Sequence, residues 1–161
     1  MSIDNQLQLF NLPATDRSTL PYKNRDTFQM GDAAEILTQA RLNCWGYPTV
    51  KSSPGSVFDL IVDLKSSFLK IQVKGTSVIT PKMTFEIRRS SMRAGPRHFS
   101  YKEGEFDIVA LVSIPDQRVL FYAGVHNRIS CKREQFIKDG NEFESWVNAL
   151  KNTQNKERIQ S

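Results

Sequence analysis

Cysteine is scarce in this chain: Cys44 and Cys131 are the only two among 161 residues. They form no C-x-x-C spacing, so neither a disulfide framework nor a redox pair is indicated. Combined with His98 and His126 they match no zinc finger or knuckle. No run approaches the roughly 20 apolar residues of a membrane span. The first ten residues, M-S-I-D-N-Q-L-Q-L-F, lack the basic start and apolar segment of a secretory signal. A cytoplasmic location without membrane contact is expected. Internal repeats and an interdomain linker are also missing. Acidic residues are absent from Ile87 through Lys102, where Arg88, Arg89, Arg93, Arg97 and Lys102 stand beside His98. That one-sided stretch matters more than the formal net charge of +5, although both suit a polyanionic partner.

The length suits one domain with a true core and is short for two. Residues 1–24 are polar, hold Pro13 and Pro21, and show no sustained period, so they read as an extension or arm. From Thr27 to Asn43 the spacing is helical, with Ala33, Ile36, Leu37, Ala40 and Cys44 on one arc expected to face the core. Glu35 lies to the side of that arc with Gln39 and Leu42. Gly46-Tyr47-Pro48 ends this helix. Thr49-Val50-Lys51 reads as a short edge strand, and Phe85 to Arg88 as another strand. Gly95-Pro96 breaks any helix in the basic stretch, which is expected to be a flexible loop. Phe106 to Ile114 is apolar after Asp107, as in a central strand covered on both faces. Pro115-Asp116-Gln117 turns the chain into a neighbouring strand from Arg118 to Val125. Lys132 and Arg133 make a second, smaller basic cluster. Phe143, Trp146, Val147 and Leu150 mark a C-terminal amphipathic helix, followed by a polar, frayed tail over residues 153–161.

The stretch with the most chemistry in it runs F-D-L-I-V-D-L-K-S-S-F-L-K-I-Q-V-K-G from Phe58 to Gly75. Asp59 and Asp63 in its first half, and Lys70, Gln72 and Lys74 in its second, recur at every second position, which is strand periodicity. A hairpin turning at Ser66-Ser67 would pair Lys65 with Phe68, Asp59 with Lys74 and Ile61 with Gln72. Opposed residues have Cβ atoms roughly 4.5 to 5.5 Å apart, so a carboxylate, an amide and an ammonium would converge. The same alternation also describes the solvated face of a half-buried strand.

The order of these motifs resembles the PD-(D/E)XK nuclease superfamily, with an Asp heading one strand and a D/E/Q-x-K triplet on the next. Asp59 matches the first position and Gln72-Val73-Lys74 the triplet. Within the superfamily the chain is most similar to the small nucleases associated with group I introns, including a cyanobacterial homing type that also uses Q-x-K. The resemblance spans Met30 to Gly124: G-D-A-A-E at Gly31 to Glu35, Gly46-Tyr47, the Pro54-Gly55 turn, F-D-L-I-V, Q-V-K-G, Tyr101, and F-D-I-V-A-L-V from Phe106. Phe58 stands where the usual Pro precedes the Asp. Gln72 replaces the acid of the triplet and brings no charge.

This resemblance implies an α/β fold with a restriction-endonuclease-like core, a central mixed sheet of four or five strands flanked by helices, over residues 25–152. It implies a Mg²⁺-dependent endonuclease, with Mn²⁺ able to substitute, acting on double-stranded DNA in a site-specific, homing manner. Glu35, Asp59, Gln72 and Lys74 would be its catalytic residues. Asp59, the Gln72 side-chain oxygen, the Val73 carbonyl and Glu35, directly or through water, would hold the ion. Lys74 would orient the attacking water or neutralise developing charge, and Gln39 could support Glu35. Arg88, Arg89, Arg93, Arg97, His98 and Lys102 would contact DNA. A homo-oligomer, dimer or tetramer, would cut both strands. A Holliday-junction resolvase, a repair-type nuclease and an inactive DNA-binding module of the same fold are the competing readings. Asp107 is expected to be structural.

Overall fold

A computed structural model describes residues 27–91 and 97–160. The arm at residues 1–24 and Arg93 lie outside the described residues. The order is α1 (Thr27–Cys44), β1 (Thr49–Lys51), β2 (Leu60–Asp63), β3 (Phe68–Thr76), β4 (Lys82–Glu86), β5 (Arg88–Ser91) and β6 (Arg97–Ser100). There follow β7 (Ile108–Ser113), β8 (Arg118–Ala123), β9 (Arg128–Lys132), α2 (Arg133–Ile137) and α3 (Asn141–Gln160). Five strands form the central sheet in the order β1-β2-β3-β7-β8. The β3–β7 pair is parallel and the others antiparallel, so the sheet is mixed.

Every residue of β7 is buried, and its alternation explains the apolar run. Ile108, Ala110 and Val112 face Ala34, Leu42, Trp146 and Ala149 of α1 and α3. Val109 and Leu111 face the other way, into a layer with Met83, Phe85, Ile129, Cys131 and Phe136. That second layer is built on the β4–β9 pair, which does not join the main sheet. The central strand is therefore covered on both sides, as its sequence implies.

Four expectations change. The buried side of α1 is Ala34, Thr38 and Leu42, while Ile36 is 60% exposed and Ala40 and Cys44 face outward. Small residues prevail because α1 approaches β3 closely: a Cβ on Gly75 would lie 2.8 Å from that of Ala34. Thr38 is tolerated there because its hydroxyl donates to the Ala34 carbonyl at 2.8 Å. Second, the β2–β3 hairpin pairs Leu60 with Ile71 and Asp63 with Phe68, two residues away from the predicted register. Leu64 N–H bonds the Ser67 carbonyl, so the turn is Lys65-Ser66. Lys65 takes φ 69°, unusual for a side-chain-bearing residue. The Asp63 carboxylate supports it by accepting the Lys65 N–H at 2.6 Å. Third, the basic stretch is a ribbon rather than a loop, with Arg88 to Ser91 paired to Arg97 to Ser100. Fourth, α3 continues to Gln160, past the point where the polar composition suggests a frayed tail. Thr153 is buried there and donates to the Ala149 carbonyl.

Candidate active site

A two-residue shift in register keeps every side chain on its face, so Asp59 still meets the triplet, now opposite Gln72 instead of Lys74. Asp59 heads β2, and its own N–H is tied to the Ile71 carbonyl at 2.9 Å. Its Oδ2 accepts the Val73 N–H at 2.7 Å and a short hydrogen bond from Gln72 Nε2. Gln72 Nε2 also reaches the Val73 carbonyl at 3.3 Å. Gln72 is only 4% exposed, which settles the meaning of the alternation. This end of the polar face is covered, and is not a solvated strand surface.

Burial dominates the electrostatics. It pushes the Asp59 carboxyl up to about 6, against the pull of the Val73 N–H. Glu35 pushes the same way, while Lys74 and Lys51 oppose it. Asp59, Glu35, Lys74 and Lys51 thus form one group of interacting charges, although Glu35 arrives from a helix on the far side of the sheet. Burial lowers the Lys74 ammonium, with Asp59 partly restoring it. Lys74 Nζ donates to the Arg88 carbonyl at 3.0 Å and lies 5.7 Å from the centre of the Tyr101 ring. Burial likewise raises the Tyr101 phenol.

Glu35 is held by Lys51, whose Nζ is 2.8 Å from Glu35 Oε2 and 2.8 Å from Asp32 Oδ1. The sequence reading missed Lys51, because nothing in the Q-x-K pattern requires it. Its one local signal is its place on a strand eight residues before Asp59. Gln39 does not support Glu35: its Nε2 donates to the Thr49 carbonyl at 2.9 Å, fastening α1 to β1. Among the described residues no three of His, Cys, Asp and Glu gather as a metal cluster.

The basic residues divide. Arg88 is exposed and paired at 3.4 Å with Glu86. His98 and Lys102 are exposed. Arg89 is half-buried, 3.2 Å from Glu105 and 5.4 Å from the centre of the Tyr101 ring, with its Nε buried and without a partner among the described residues. Arg97 lies on β6. Arg133 of the smaller basic cluster is engaged by Asp116 at 2.6 Å. Asp107 is structural, accepting the Lys70 N–H at 2.8 Å through Oδ2.

A mixed sheet carrying an acid at the head of one strand and Q-x-K on the next defines a nuclease core, and comparison with known proteins agrees. The family model described as PD-(D/E)XK endonuclease matches residues 25–146, and the chain belongs to that family. Its fold is similar to the solved structure of a bacterial homing endonuclease, I-Ssp6803I, with a TM-score of 0.64 at 18% identity. That likeness covers 83% of this chain and 99% of the other. No curated protein matches.

Proposed function

We propose that this endonuclease hydrolyses phosphodiester bonds of double-stranded DNA at a specific site, with a divalent metal ion held beside Asp59. The observation that carries this reading is the Asp59 carboxylate itself. Burial displaces it to a pKa of about 6, and among the described residues Gln72 Nε2 and the Val73 N–H both donate to its Oδ2. A desolvated carboxylate whose donors converge on one oxygen is stabilised by a cation placed at the other. The donor set is all oxygen, as Mg²⁺ requires and Mn²⁺ accepts. Asp59, the Val73 carbonyl and Glu35 supply three donors, and Gln72 supplies a fourth after a half-turn of its amide. Without a cation that half-turn is unfavourable, since it would point the amide oxygen at Asp59. Bound there, the ion supplies positive charge at the phosphate and acidifies water.

Lys74 does the remaining work of the chain at this point. Its ammonium, lowered by burial, is suited to hold the attacking water and to meet charge developing on the phosphate oxygens. Arg88, Arg97, His98 and Lys102 belong to or flank the β5–β6 ribbon, where they would engage backbone phosphates, and Arg93, outside the described residues, is proposed to do the same. Arg89, on the same ribbon, would join them from its place beside Tyr101 and Glu105. The site-specific, homing character is supported by the fold likeness to I-Ssp6803I, and a cytoplasmic setting goes with a DNA substrate. Cutting both strands calls for two copies of the site, hence a dimer or tetramer. Sedimentation equilibrium should give at least two chains per particle.

The test is incubation of the full chain with its own genomic locus and with a four-way junction, with and without Mg²⁺, followed by end mapping. Cleavage of the duplex at one position, abolished by Asp59→Asn and by Lys74→Met, is expected. Cleavage of the junction alone would turn the reading to a resolvase. DNA binding without cutting under any divalent ion would leave an inactive binding module.

A further inference from the structure

Lys51 stands on the edge strand β1 and is shared by two carboxylates one turn apart on α1. The distances are equal, 2.8 Å to Glu35 Oε2 and 2.8 Å to Asp32 Oδ1, but the two acids face differently. The Glu35 side chain is 20% exposed and that of Asp32 64%. Glu35 and Lys51 both act on Asp59, so the ammonium belongs to the charge balance of the site.

We propose that Lys51 is a positioning residue that shares its ammonium between Glu35 and Asp32, so that Glu35 would be free to serve a divalent cation while Asp32 keeps the ammonium paired. This rests on the metal reading given above. A cation arriving at Glu35 meets a fixed like charge in Lys51, and the two compete for one carboxylate. If Glu35 were the only partner, its release would leave the ammonium unpaired. Asp32 removes that difficulty, because it already shares the ammonium and lies in solvent. Half-exposed ion pairs are weak, so the exchange costs little. The arrangement offsets the charge of Glu35, which acts on Asp59, and would yield that carboxylate on demand.

The test is Mn²⁺ binding to the full-length, cation-free protein without DNA, followed by the electron paramagnetic resonance signal of the free ion. Lys51→Met should tighten Mn²⁺ binding by roughly three- to tenfold, since the competitor is gone. Asp32→Asn should weaken it, since Lys51 then has Glu35 alone. Lys51→Arg should behave as the unaltered chain. Effects of opposite sign from the two partners of one ion pair are not produced by a structural role. Both side chains are about half exposed or more, and melting curves of the variants should coincide. Weaker or unchanged binding in Lys51→Met, or a shift in the same direction in Asp32→Asn, overturns the proposal. If Asp59→Asn abolishes binding in the same series, the metal centre survives that failure. Mn²⁺ binding that is absent, or untouched by Asp59→Asn, overturns both.

Discussion

Asp59 carries a stability cost that its position explains and that pH reveals. An unfolded aspartate ionises near its ordinary value of 3.8, whereas in the fold burial holds the proton until about 6. Between about pH 4 and about pH 6 the native chain keeps a proton that the unfolded chain has lost. Stability of the cation-free protein therefore falls as pH rises through that window, by about 2 to 3 kcal/mol. Below pH 4 the penalty is absent; above pH 6 it is complete. Asn at position 59 retains an oxygen acceptor for Val73 and carries no charge. Urea denaturation should find Asp59→Asn more stable than the unaltered chain at pH 7.5 and equal to it at pH 4. A difference independent of pH would show that the buried charge is not the cause. Asp59 and Gln72-Val73-Lys74 are legible in the sequence through the family resemblance, because their alternation alone also fits a solvated strand face. Lys51 is not, because its relevance depends on α1 laying Glu35 and Asp32 against β1.

The contact between α1 and β3 shows how an element can be placed by what is missing from a side chain. Gly75 needs no unusual backbone angle; it is required because the Ala34 methyl occupies the space its Cβ would take. Gly75→Ala should push α1 outward and cost about 1 to 3 kcal/mol, displacing Glu35 from Asp59. Ala34→Gly should recover part of that loss in the double variant, despite the roughly 1 kcal/mol a glycine costs within a helix. A double-mutant cycle by thermal denaturation reads the coupling, and strict additivity would exclude the clash. Counting apolar residues along α1 points to Ala33, Ile36, Leu37, Ala40 and Cys44 as the packed arc; Ala33 and Leu37 do pack against the core, whereas Ile36, Ala40 and Cys44 face outward. The fold instead buried Ala34, Thr38 and Leu42, since close approach selects for small volume and a locally satisfied hydroxyl. The ribbon β5–β6 was likewise hidden in the sequence, where Gly95-Pro96 and a run of arginines look like a loop.

On the scale of the whole molecule the excess positive charge is unevenly available. Asp116 engages Arg133 and Glu105 engages Arg89, while Lys102 and His98 are exposed on or beside the ribbon. DNA affinity measured against salt should therefore lose about one unit of logarithmic slope in Lys102→Ala, as for one phosphate contact removed. Arg133→Ala should leave the slope unchanged and act through folding alone. Equal slopes in both variants would remove the ribbon's flank from the interface.

Residue order alone established the strand alternation from Asp59 to Lys74, the apolar run that became β7 and the two longer helices, while the α/β class and the meeting of Asp59 with Q-x-K followed from the family resemblance those motifs carry. Period and spacing are local and survive any reasonable packing. Tertiary structure decided the hairpin register, the face of α1, the pairing of Arg89 with Glu105 and the capture of Glu35 by Lys51. Each of these depends on which surfaces come close and how much room remains between them. Distance in space, unlike distance along the chain, is set only when the layers close on one another.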